Sequence, residues 1–154
     1  MNVYIVSDHG GRVLKDFLLS KVSNLIDLSP VNTSDDDYPT IAKTLAKKIH
    51  LDKLNYNLKS IGVSICASGQ GICMAINKYS QIRGATVIEI QQVQNIVKHN
   101  FANVLCLSQL YTTPDVAIES TNLFIKENSK YDTVESLDLR HIRRVNEMEN
   151  TEQL

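Results

Sequence analysis

The chain has little surplus charge, no long apolar run and few cysteines, and each shortage closes off a class of function. Its 154 residues carry 16 Lys and Arg against 17 Asp and Glu, a formal net charge of -1. Nothing in that balance marks a nucleic-acid or polyanion partner. No stretch of about 18 apolar residues occurs, so neither a transmembrane helix nor a membrane partner is expected. The opening Met1-Asn2-Val3-Tyr4-Ile5-Val6-Ser7-Asp8 has no basic region and no long apolar core, and it does not read as a signal peptide. The three cysteines are odd in number and lack metal-type spacing. They suit free thiols in a reducing, cytoplasmic compartment, with no metal site. Internal repeats and low-complexity tracts are missing. What remains, 43% hydrophobic and 21% charged residues, is ordinary for a soluble globular protein. The length fits one domain, taken as residues 1–149, with a polar tail over 150–154.

Strand and helix patterns alternate along the chain. Val3 to Ser7 is an apolar strand, broken by Asp8-His9-Gly10-Gly11. A helix follows, with Val13, Leu14, Phe17, Leu18, Val22 and Leu25 at three- and four-residue spacing. A short strand is expected at Leu25 to Leu28, and a loop from Ser29 to Asp37. Pro39 suits the first turn of a second helix, with Ile41, Ala42, Leu45, Ala46 and Ile49 as its apolar face. The polar stretch Asp52 to Ser60 then returns the chain to a strand at Ile61 to Ile65. A third helix carries Ile72, Ala75, Ile76 and Tyr79; Ala85 to Ile88 is a strand; a fourth helix shows Val93, Ile96 and Val97. Val104 to Leu107 is the fifth strand, and Pro114 opens a fifth helix. A last amphipathic helix, roughly Val134 to Glu149, has Leu139, Ile142, Val145 and Met148 at three-residue steps. Such alternation implies a three-layer α/β/α, Rossmann-like or flavodoxin-like fold. Its five-stranded sheet is parallel, its crossovers are right-handed, and a C-terminal helix closes the chain.

The run Ile65-Cys66-Ala67-Ser68-Gly69-Gln70-Gly71-Ile72 puts a thiol at the carboxyl end of a strand, beside a helix start. Open α/β sheets bind ligands at such places. A thiol there can act as a base, and the amides can hold an oxyanion. Cys66 is equally a small buried hydrophobe, as most free cysteines are. Asp8 and His9 follow strand one and converge on the same edge. Asp8 is equally a helix cap, and His9 and His99 taken singly are surface histidines. His99 and Asn100 precede strand five, which places them on the opposite rim; they reach the Cys66 end only from a neighbouring chain. Arg140, His141, Arg143 and Arg144 form a basic cluster. Arg140 and Arg144, four apart on one helical face, suit either a phosphate or a solvated surface. Cys73 and Cys106, inside apolar runs, read as core.

Taken together these motifs resemble the ribose-5-phosphate isomerase B family, which includes the galactose-6-phosphate isomerase subunits. Ser7-Asp8-His9-Gly10-Gly11 resembles its S-D-H-A-G opening, and Asp37-Tyr38-Pro39 matches its D-Y-P. Ile65 to Lys78 resembles I-C-G-T-G-I-G followed by a helix ending in N-K. His99-Asn100 with Ala102-Asn103-Val104-Leu105 matches H-N-x-A-N-V-L, and Arg140 to Val145 matches R-H-x-R-R-V. The resemblance implies an aldose–ketose isomerase of phosphorylated sugars, without metal or organic cofactor. By that likeness Cys66 is the base that moves a proton between C1 and C2 through a cis-enediolate. Ser68 and the amides from Gly69 to Gly71 hold the enediolate oxygen. Asp8, with His99, serves ring opening; Tyr38 and Asn100 line the sugar; His9, Arg140 and Arg144 meet the phosphate, with His141 nearby. The likeness also implies a homodimer or a dimer of dimers, with His99 and Asn100 supplied by the neighbouring subunit.

The departures concern the substrate. Ala67 and Ser68 stand for the family's usual glycine and threonine. Val87-Ile88-Glu89 falls where many members carry a histidine and an aspartate, and Phe101 where an aspartate is frequent. Leu110 falls where ribose-5-phosphate members usually place an arginine that reaches the phosphate of the neighbouring subunit's substrate. A charge-assisted contact is worth roughly 1.5–3 kcal/mol, or about ten- to a hundredfold in affinity. The resemblance still implies ribose 5-phosphate to ribulose 5-phosphate as the expected reaction. A hexose 6-phosphate such as galactose 6-phosphate is the alternative substrate, and a non-catalytic sugar-phosphate binder the other alternative.

Overall fold

Two apolar faces alternate along each central strand, and that alternation fixes the layers. The computed structural model describes residues 1–29, 36–130 and 138–150. Five strands, β1 (Asn2–Ser7), β2 (Leu25–Asp27), β3 (Ser60–Cys66), β4 (Gly84–Thr86) and β5 (Val104–Ser108), form one parallel sheet in the order β2-β1-β3-β5-β4. Val3, Ile5, Ile61, Val63, Ile65, Leu105 and Leu107 point to one side. There they meet α1 (Arg12–Lys21), α4 (Gln91–Asn100) and α5 (Pro114–Lys130). Tyr4, Val6, Cys66, Val104 and Cys106 point to the other, under α2 (Tyr38–Tyr56) and α3 (Gln70–Ile76). Near-continuous apolar strands are what a sheet covered on both faces requires. The last helix, α6 (Leu139–Glu149), packs on α4 and is tied to the sheet edge by an Arg83–Glu149 ion pair.

The chain moves from β1 outward to β2, then returns to β3 on the other side of β1. This reversal opens a crevice at the carboxyl ends of β1 and β3, where open sheets place their ligands. Asp8 and Cys66 stand there. The turn after β1, His9–Gly11, is a single 3-10 turn seated against the end of β3. A Cβ on Gly11 would lie 2.5 Å from the Ile65 carbonyl oxygen, so only glycine fits.

Several details differ from the sequence reading. The sheet order is not that of flavodoxin, since β5 lies inside and β4 forms the edge. Helix α1 stops at Lys21 with Val22 extended, and Asn24 reverses the chain at φ 67°. Val22 and Leu25 therefore keep an apolar spacing without being helical, and Val13 is exposed. Helix α2 runs on through the polar residues to Tyr56, where Asn57 in the left-handed region closes it. Tyr79 lies past the end of α3, yet packs against the same core. On α6 the buried residues are His141 and Val145, while Leu139 and Met148 are exposed. Steps of three residues fall about 60° short of a full turn, so that apolar series winds around the helix instead of facing the core. The expected loop at 30–35, the helix start at 134–137 and the tail at 151–154 lie outside the described residues.

Candidate active site

The register places the first group of candidate residues. Ser7 pairs with Ile65 and Cys66 with Ser108, so Asp8 and Cys66 leave neighbouring strands at the same level. Cys66 is buried, and its Sγ accepts a hydrogen bond from the Gly69 amide at 3.2 Å. Gly69 adopts φ 75°, a conformation suited to glycine, and a Cβ there would press on the Leu107 carbonyl at 3.0 Å. In the same turn Ser68 Oγ accepts from the Gln70 amide at 3.3 Å. Of the amides expected to face an oxyanion, Gly69 is thus directed at the sulfur and Gln70 at Ser68. Gly71, in the first turn of α3, is among the donors a helix leaves open. The Tyr38 ring lies against Gly71 at the first turn of α2.

Asp8 does not cap the helix that follows, since its side chain makes no capping hydrogen bond. Its carboxylate is buried, and Oδ1 has no hydrogen-bond partner among the described residues. Burial pushes its pKa up, against the opposing pull of His9 and the amides of Gly10 and Gly11. A carboxyl held in that way can exchange a proton with a sugar hydroxyl. His9 is exposed, and its Nδ1 lies 3.1 Å from Asp36 Oδ1. The Asp36 hydrogen bond raises its pKa, with the charge of Asp8 adding to it. Asp36 was missed by the sequence reading: it lies 27 residues from His9, and only the fold brings the two together. Beneath this corner Lys15, almost wholly buried, binds Asp27 Oδ2 at 2.8 Å and the Ser29 carbonyl at 2.6 Å. Ser29 Oγ in turn accepts from the Ser7 amide.

The second group gathers elsewhere. His99 and Asn100 end α4, at the rim where β5 begins. The His99 ring stacks on His141 of α6 at 4.4 Å, and Arg140 and Arg144 are exposed on that same helix. Asp138 caps α6 through the Arg140 amide at 2.9 Å. Burial, and then the nearby charge of His99, lowers the pKa of His141. Strand β3 has seven residues and spans roughly 20 Å at ~3.3 Å per residue. The His99 cluster therefore sits on the far rim from Cys66 of the same chain. A hollow of about 720 Å³ also lies at that far rim, lined in part by His50, Lys53, Arg83 and Asn128. Among the described residues no group of three or more His, Cys, Asp or Glu side chains is placed to hold a metal ion.

The sequence model of the Ribose/Galactose Isomerase family matches residues 3–148. The chain belongs to the ribose/galactose isomerase family. It is an aldose–ketose isomerase. A probable ribose-5-phosphate isomerase B of Mycoplasma genitalium is 37% identical over 132 residues, covering 82% of this chain and 84% of that protein. The crystal structure of ribose-5-phosphate isomerase B from Mycoplasma genitalium with bound ribulose-5-phosphate superposes with a TM-score of 0.80. It is 32% identical and covers 96% of this chain and 93% of that one. Ribose-5-phosphate isomerase B of Clostridium thermocellum gives a TM-score of 0.78 at 29% identity, over 97% and 95% of the two chains. In this family member no helix among the described residues is long and apolar enough to cross a membrane.

Proposed function

We propose that the chain interconverts ribose 5-phosphate and ribulose 5-phosphate through a cis-enediolate, with Cys66 as the base. The observation that carries this reading is the level pairing of Asp8 and Cys66 at the β1/β3 crevice. Asp8 takes part in opening the sugar ring by exchanging a hydroxyl proton. Cys66 Sγ removes the proton from C2 of the aldose, and the electron pair passes to the C1 oxygen. Ser68 Oγ and the Gly71 amide stabilise that oxyanion; the O2 hydroxyl proton then passes to O1, and returning the carbon proton from Cys66 to C1 leaves the C2 carbonyl of the ketose. A general base contributes about 10²–10⁴-fold, and an oxyanion donor about 2.7–4 kcal/mol. Tyr38 lines the sugar and His9 meets the phosphate, whose binding holds the reacting carbons in place.

His99, Asn100, Arg140 and Arg144 complete the site from a neighbouring copy, which makes the working form a homodimer or a dimer of dimers. His141 supports His99 from behind through their stacked rings. The three free cysteines suit work in the cytoplasm. Leu110, exposed at the mouth of the crevice, favours a second reading, in which a hexose 6-phosphate is the better substrate. Turnover of ribose 5-phosphate by the purified protein tests the first. Cys66→Ala is expected to abolish it while leaving the circular dichroism and melting unchanged. A folded Cys66→Ala that keeps its rate removes the thiol from the mechanism. A wild-type protein that turns over only hexose 6-phosphates moves the substrate to the second reading.

A further inference from the structure

Beside His9 lies a carboxylate that the reaction as written does not use. Asp36 is buried, with one oxygen on His9 Nδ1 at 3.1 Å and the other, Oδ2, without a hydrogen-bond partner among the described residues. Burying a carboxylate that is only half satisfied works against folding. A residue kept for stability alone would be better served by a neutral side chain. Among the described residues its side-chain partner is the histidine at the crevice. With Nδ1 engaged, Nε2 is the ring atom left to meet a ligand, and a carboxylate on one imidazole nitrogen fixes both the ring's orientation and the location of its proton.

We propose, on the reading above that His9 meets the substrate phosphate, that Asp36 is the positioning residue for that contact: it holds His9 by Nδ1 and keeps the ring cationic, so that Nε2–H is presented to the phosphate. That Oδ2 has no partner among the described residues is then the consequence of keeping an acid where an amide would fold as well. The charged neighbours of His9 act in the same direction. Asp8 approaches from the end of β1, and Asp36 and Asp37 from the segment before α2, and all three favour the cation. At the end of β3 the ionisable group is Cys66, and on α1 Arg12 pairs with Asp16. The sign follows from this. His9 is charged below its folded midpoint and loses its hold on the phosphate as pH rises through that midpoint. Without Asp36 that loss begins at lower pH.

The test compares full-length wild type with Asp36→Asn, an isosteric change, by NMR titration of the His9 imidazole, by binding of inorganic phosphate and by steady-state kinetics with ribose 5-phosphate. In Asp36→Asn the His9 midpoint is expected to fall, since the largest of the effects that raise it is removed. Phosphate affinity should weaken and KM rise about tenfold. The rate constant kcat should stay within about threefold, because the contact serves binding and not proton transfer. Melting is expected to be unchanged or higher. In a His9→Gln background Asp36→Asn should add nothing further to KM. An unchanged His9 midpoint, or a KM loss of equal size in the His9→Gln background, overturns the proposal. If Asp36→Asn does not fold, Asp36→Ser is read in the same three ways. Should the wild type turn over no ribose 5-phosphate, the substrate assignment fails by itself. The His9 midpoint and the inorganic-phosphate affinity still decide the role of Asp36.

Discussion

Leu110 is the residue at which the pentose-phosphate reading meets its most direct chemical test. Its side chain is 66% exposed, while its amide is fixed by the Ala67 carbonyl at 3.0 Å and Ser108 Oγ at 3.2 Å. The backbone there is set by β5 and the Cys66 turn, so the side chain can change without disturbing either. Leu110→Arg restores a cation at the mouth of the crevice. It is expected to lower KM for ribose 5-phosphate about tenfold with little change in kcat, since one charge-assisted contact is worth roughly 1.5–3 kcal/mol. Steady-state kinetics on pentose and hexose phosphates check it. An unchanged KM for both would mean that no phosphate comes near position 110. At this scale the sequence made the chemical residues legible but not their partners. Cys66 and Asp8 stand out because each follows an apolar strand. Asp36 did not, because it sits in a run of aspartates and its meaning comes from His9, far away in the chain. The direction of the Gly69 amide was likewise hidden, since it depends on the dihedral angles of one turn.

Among the elements, α2 shows how a polar run can belong to a helix. Asp52 lies where the hydrophobic periodicity fades, and by composition the segment from Asp52 to Ser60 reads as a loop. In the fold Asp52 is almost wholly buried and accepts from Tyr4 Oη and Ser60 Oγ at 2.6 Å each, Lys48 Nζ at 2.8 Å and Asn2 Nδ2 at 3.2 Å. These donors come from β1, from the start of β3 and from one turn earlier in α2, so nothing local announces them. Burial alone would raise the Asp52 pKa, but the four donors outweigh it and hold the carboxyl well below its usual range. A carboxylate lowered in the folded state stabilises the protein above its ordinary pKa, and that contribution fades as pH falls below it. Asp52→Ala leaves the buried Tyr4 and Ser60 hydroxyls without their acceptor, and is expected to lose about 2–4 kcal/mol at pH 7. The difference from wild type should shrink between about pH 5 and pH 2. Urea denaturation at several pH values measures this; a difference that does not vary with pH would show that the carboxylate charge is immaterial. The apolar faces of α2 and of the central strands follow their periodicity, whereas those read for α1 and α6 do so only in part. The order of the last two strands does not, because nothing in β4 or β5 by itself states which of them reaches β3.

At the scale of the whole molecule, the candidate residues divide between two rims about one strand length apart. Asp8, His9, Tyr38, Cys66, Ser68, Gly69 and Gly71 hold one rim, and His99, Asn100, Arg140, His141 and Arg144 gather near the other. One chain cannot fold its far rim onto its near one. A two-fold axis can bring the far rim of one copy to the near rim of another, and it then does so twice, since a two-fold interface repeats every contact. This gives a prediction that no single-chain site shares. Cys66→Ala and His99→Ala are each expected to be inactive as pure homodimers, because each lacks one component at both sites. Mixed in equal amounts and allowed to exchange subunits, half the dimers become hybrids. In each hybrid one site carries both substitutions and the other carries neither. About one quarter of wild-type activity should then return. The recovered activity should show the wild-type KM, since the restored sites are unaltered. Recovery that stays at the level of the separate variants, with subunit exchange verified by mass, would place both residues in one chain's site and remove the shared-site reading.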